Sequence, residues 1–193
     1  MKLLYLLLAL VVSACGTCYQ LPLSAADRIW TAAYPHIGQT ITLRSNRDHT
    51  LRYTVAERID SYNNLDCNWL EVGRQQPAHF HVTLRPVLHP EGGTHDLTLY
   101  VVKWDERQPA TLDFRVAGLE AHFHEQYDTH HFALLPQPCT VAGQAYPHAF
   151  YFAAGQNALD YGAAKWRSFS WDPQVGLLRL EAPDGEAFEL VQE

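Results

Sequence analysis

The 193 residues carry 14 Lys and Arg against 21 Asp and Glu, a formal charge of -7, and 47% of them are hydrophobic. An acidic chain without a basic cluster argues against nucleic-acid binding and against electrostatic docking on anionic lipid. The length and a charged fraction of 18% suit one folded domain with a real core and are too small to favour two.

In chain order, a single cation, Lys2, precedes an apolar run from Leu3 to Val12, then the small residues Ser13 and Ala14, then Cys15. This is the layout of a secretory signal peptide over residues 1–14. The run is too short to span a hydrocarbon layer of roughly 30 Å, which takes about 20 apolar residues. The four residues Val12-Ser13-Ala14-Cys15 resemble the lipobox of bacterial lipoproteins. That resemblance implies cleavage before Cys15, a thioether-linked diacylglycerol on its sulfur, and a bacterial cell-envelope location in which the lipid is the membrane partner. Two or more acyl chains anchor stably, whereas one binds marginally. Gly16, where an Asp would imply retention at the inner membrane, implies the outer membrane in a Gram-negative host.

With Cys15 lipidated, three thiols remain in a compartment that permits disulfides: Cys18, Cys67 and Cys139. Cys18 falls in the expected tether, residues 15–23, so the expected pair is Cys67 with Cys139, closing a loop of about 72 residues. A pair involving Cys18 is the alternative. The C-G-T-C string from Cys15 to Cys18 has redox or zinc spacing, yet a lipidated Cys15 has no thiolate to contribute.

The domain is expected to run from 24 to 193. Ser24 is placed to cap a short helix over Ala25–Ala33, with Ile29 and Trp30 against the domain body and Pro35 ending it. Period-two alternation then predicts strands at Thr40–Arg44 and Leu51–Ile59 around N-R-D-H, with a polar loop from Asp60 to Asn68. His79–Arg85 alternates most cleanly: Phe80, Val82 and Leu84 face one way, the histidines, Thr83 and Arg85 the other. Asp96–Trp104 reads as buried on both faces. Thr111–Val116, Leu119–Gln126, His131–Leu135 and Pro147–Ala153 follow, the prolines around P-Q-P-C making a continuous central strand improbable. Trp166–Trp171, Leu177–Glu181 and Ala187–Val191 close the chain, the last two joined by the P-D-G-E turn. This ending is similar to that of many uncharacterised bacterial lipoproteins and implies no activity. An antiparallel meander of this size must curl, close or fold into two layers, so the expected fold is all-β: a lipocalin-like β-barrel or a β-sandwich with one short N-terminal helix.

Eleven histidines include two H-F-H strings, His79-Phe80-His81 and His122-Phe123-His124. Residues two apart on a strand share a face, an arrangement used by strand-based metal sites, but a site needs at least three ligands. Two intervening strands would separate the pairs by about 14 Å. A local zinc or copper set is the alternative, drawing His122 or His124 together with His130 or His131 across the turn after Glu125. Otherwise these side chains form the solvated face of a half-exposed sheet.

No named enzyme motif completes. Asp128 occupies the last position of an H-E-x-x-H begun at His124, and Gln126 that of an H-x-x-E-H begun at His122. Neither Ser168 nor Ser170 has a G-x-S-x-G frame. Tyr146, Phe150, Tyr151, Phe152, Trp166, Phe169 and Trp171 supply a core or line a cavity. The expectation is a non-catalytic, lipid-anchored binding protein without a cofactor, its ligand a small apolar molecule, a glycan or an envelope protein. A metal-handling lipoprotein and a hydrolase with groups assembled from distant strands are the alternatives.

Overall fold

The computed structural model describes residues 18–67, 73–123, 136–160 and 165–191. The expected signal peptide, Cys15, the expected strand His131–Leu135, and His124, His130 and His131 lie outside the described residues. Fourteen strands are formed within them: β1 (Tyr19–Leu21), β2 (Thr40–Ser45), β3 (Thr50–Tyr62), β4 (Gln75–Pro86), β5 (Leu97–Val102), β6 (Thr111–Val116), β7 (Leu119–Phe123), β8 (Cys139–Val141), β9 (Gln144–Tyr146), β10 (Phe150–Ala153), β11 (Leu159–Asp160), β12 (Ser168–Asp172), β13 (Gly176–Glu181) and β14 (Ala187–Leu190).

Twelve of these build one sheet in the order β10-β12-β13-β14-β2-β3-β4-β5-β6-β7-β11, with β1 on β4. The sheet curls into a half-barrel, as an antiparallel meander of this size must. The antiparallel pairing of β14 with β2 joins the C-terminal meander to the N-terminal one, Leu190 facing Leu43. Alternation puts Phe80, Val82, Leu84, Leu97, Leu99, Leu112, Phe114 and Val116 into the curl. Aromatic rings fill it. Phe114 lies 4.9 Å from Phe152 and 5.4 Å from Trp171 between ring centroids, with Trp30 at 6.0 Å. Most of the late aromatic cluster is therefore core, and the lipocalin-like lumen of the sequence reading is occupied by side chains.

The expected helix is a five-residue 3-10 turn, Asp27–Thr31. β-branched and aromatic residues crowd a regular helix here, and the Thr31 hydroxyl bonds back to the Arg28 carbonyl at 2.9 Å. The cap position falls at Ala26, without a side-chain cap bond, and not at Ser24 as expected. Ser24 instead exchanges hydrogen bonds with Asp27, the Asp27 N–H donating to Ser24 Oγ at 3.2 Å and the Ser24 N–H to Asp27 Oδ2 at 3.0 Å. Trp30 enters the core while Ile29 stays exposed.

Tyr34 crosses the core to the far meander, where its hydroxyl accepts the Leu177 N–H at 2.7 Å. Gly176 has φ +93°, and a Cβ there would stand 2.2 Å from the Tyr34 hydroxyl. Gly176→Ala therefore combines left-handed strain with a collision against a buried ring, and a loss of about 2 kcal/mol is expected by urea denaturation.

Three further features of the fold depart from the sequence reading. β3 extends through Tyr62 into the expected loop, because a register shift between Val55 and Glu57 lets Asp60, Ser61 and Tyr62 pair with Phe80, His79 and Ala78. β8 and β9 form a separate hairpin whose turn residues, Ala142 and Gly143, both have positive φ, as a primed turn demands. The third is the disulfide. Cys18 is bonded to Cys67, with Cα atoms 5.8 Å apart, and Cys139 is free. The expected Cys67–Cys139 pair fails because β1, read as tether, pairs in parallel with the start of β4 from Tyr19↔Gln75 and carries Cys18 to Cys67. Cys139 instead opens the hairpin packed against Leu178 and Leu190.

Candidate functional site: a polar groove across β3 to β7

Side chains that alternate away from the core on β3 to β7 meet in rows fixed by strand register. One row runs Ile59, His81, Tyr100, Asp113, His122; the next runs Glu57, Thr83, Thr98, Arg115, Glu120. All but Ile59 line two adjoining clefts of about 480 Å³ and 290 Å³ that share Tyr100 and Arg115. Turn residues Gly93, Thr94, Ala117 and Gly118 border one end, and Val102, Trp104 and Thr111 the other. The sequence reading of the β5 segment as buried on both faces is corrected here: Thr98 and Tyr100 line the groove.

Strand spacing makes row neighbours stack. The rings of His81 and Tyr100 lie 4.4 Å apart at 20°, and the Arg115 guanidinium carbon sits 5.5 Å from the Tyr100 centroid from the opposite strand. His79, one step along the same face as expected, is 6.3 Å from His81. With His81 stacked on Tyr100 and the Arg115 guanidinium over the same ring, the ladder offers polar edges beside the aromatic surface.

Charges alternate around it. His81 Nε2 is 2.7 Å from Thr83 Oγ1, and its Nδ1 is 3.9 Å from Glu57 Oε2. Arg85 pairs with Asp96 at 3.1 Å. His122 is held between two carboxylates, Nδ1 3.3 Å from Asp113 Oδ1 and Nε2 3.1 Å from Glu120 Oε2. Asp113 raises the His122 pKa above the ordinary 6.5, burial opposes this, and Glu120 adds to it. Burial lowers the pKa of both His79 and His81, His79 adding to the shift at His81 and Glu57 opposing it.

These directions make a test. In a proton NMR titration, His122 is expected to protonate above 6.5 and His79 and His81 below it. The His122 contribution to stability is present below the unfolded value and lost as pH rises through its raised pKa. His79 and His81 act oppositely, penalising the fold as pH falls from 6.5 through their lowered values. A reversed order for His81 and His122 would contradict the geometry.

Of the expected metal set, the structure places only His122, the other three lying outside the described residues. Among the described residues, no three His, Cys, Asp or Glu side chains are grouped to hold a metal ion. β5 and β6 lie between β4 and β7, so the separation of the two H-F-H strands by two strands stands. No protein family, curated protein or solved structure matches this chain.

Proposed function

We propose that the chain is a lipid-anchored domain of the bacterial cell envelope, held through Cys15, that binds a glycan in the groove and performs no covalent chemistry there. The observation that supports this reading is the His81-Tyr100-Arg115 ladder, whose polar edges alternate with the carboxylates of Glu57, Asp113 and Glu120. Such alternation of donors and acceptors suits a hydroxyl-rich ligand. A small apolar molecule would leave these groups desolvated and unpaired. His122 is a poor general base, because both ring nitrogens already face carboxylates.

Calorimetric titration with soluble peptidoglycan fragments tests the reading. Saturable binding by the wild type, weakened at least about tenfold in Tyr100→Ala and Arg115→Ala, is expected from the loss of one or two hydrogen bonds. Unchanged affinity in both variants, or no binding by the wild type, counts against it.

Zinc or copper held by His122 with His124, His130 or His131 is the second reading, favoured by the two carboxylates beside His122. Metal analysis of untagged protein decides it, together with titration of a His122→Ala/His124→Ala variant. Unchanged binding in that variant sinks the metal reading.

A further inference from the structure

We infer that the end of the half-barrel carrying the Cys18–Cys67 bond is held against the bilayer surface, in place of the stand-off that residues 15–23 would allow as a free linker. The inference rests on lipidation of Cys15. Cys18 is covalently tied to Cys67, and the Tyr19 N–H donates to the Arg74 carbonyl at 3.0 Å as β1 joins β4. From Cys15 to Cys18, the first residue so held, is a three-residue step, which reaches about 10 Å when fully extended. A domain so tethered cannot rise more than that from the headgroups, and the tether leaves from one end of the sheet.

Register identifies what shares that end. β1 pairs with residues 75–77 of β4, the Lys103 N–H beyond β5 bonds to the Ala78 carbonyl, and the Asn63 N–H beyond β3 bonds to the Pro77 carbonyl. The exposed side chains grouped there include Leu65 at 68%, Tyr19 at 51% and Trp104 at 44% exposure. Tyr and Trp are the side chains that settle at the boundary between headgroups and acyl chains. Asp66, Asp105 and Glu106 outnumber Arg74 and Arg107 at this end by one charge, so the seating depends on the short tether and these apolar groups and not on anionic lipid. The groove then runs away from the membrane, its Trp104 mouth at the bilayer and its Gly93 and Gly118 mouth facing outward.

Hydrogen exchange tests this on the full mature protein in phosphatidylcholine vesicles, beside a variant with about twenty Gly and Ser residues inserted between Thr17 and Cys18, long enough to free the domain. Exchange at residues 63–67 and 103–107 is expected to be several-fold slower in the wild type than in the spacer variant, with residues 87–93 at the far end unchanged. Equal exchange in the two proteins, both carrying lipid by mass spectrometry, overturns the seating and leaves the anchor intact. A protein with no lipid on Cys15 overturns both.

Discussion

Lys103→Met is expected to destabilise the domain by about 3–5 kcal/mol in urea denaturation, the range for removing one partner of a buried ion pair. Lys103 Nζ lies 2.8 Å from Asp27 Oδ2, and the two side chains are only 4% and 6% exposed. The ammonium also donates to the Gln108 carbonyl. Asp27 in turn accepts the Ala110 N–H at 2.8 Å and the Ser24 hydroxyl at 2.7 Å, so the pair ties the N-terminal 3-10 turn to the connection between β5 and β6. Methionine keeps the volume of the stem and leaves the carboxylate buried without its cation.

The pH dependence follows from the same contacts. Burial opposes ionisation of Asp27, but Lys103, Ser24 and the Ala110 amide outweigh it and hold the pKa below 3.8. A depressed carboxyl contributes stability above its unfolded value and loses it as pH falls through the folded one. The deficit of Lys103→Met is therefore expected to shrink in acid, where the carboxyl becomes neutral. Asp27→Asn/Lys103→Met should recover part of the loss, since no unpaired charge remains. Equal deficits at neutral and acid pH would contradict the assignment.

The second large effect belongs to Cys18–Cys67. The bond spans 49 residues, and the chain-entropy relation for a loop of that length gives about 4 kcal/mol. A Cys18→Ala/Cys67→Ala variant is expected to lose that much at its urea midpoint and to become insensitive to reductant, while the wild type falls to the same level when reduced. Alkylation of denatured, unreduced wild type should mark Cys139 alone among Cys18, Cys67 and Cys139. Labelling of Cys67 would contradict the observed pairing. Burial raises the pKa of Cys139, which keeps its thiol protonated and slow to react in the native domain.

What the sequence revealed depended on the range of the signal. Period-two alternation within one strand identified the inward set of β4, and its repetition along the chain the all-β curled sheet, because burial of one face is a local pattern. β1 was missed: three residues with only Leu21 buried carry no periodicity, and a parallel pairing with β4 has no local turn to announce it. That omission also misassigned the disulfide. The β8–β9 hairpin hid behind Ala142, an unusual residue for positive φ.

The groove was half legible. Alternation placed His79, His81, Thr83 and Arg85 on one face, but the row joining His81, Tyr100, Asp113 and His122 exists only once register is set. Register in turn depends on the shift between Val55 and Glu57. Tyr100 was hidden inside a segment whose apolar neighbours made both faces look buried.

The proposed anchor at Cys15 governs the proposed location, the expected odd thiol count and the inferred seating of the domain on the bilayer. Mass spectrometry of the N-terminal peptide from membrane-extracted native protein tests it most directly. The expected result is a chain beginning at Cys15 with diacylglycerol on its sulfur. A chain beginning at any other residue, or a Cys15 bearing an unmodified thiol, contradicts the account.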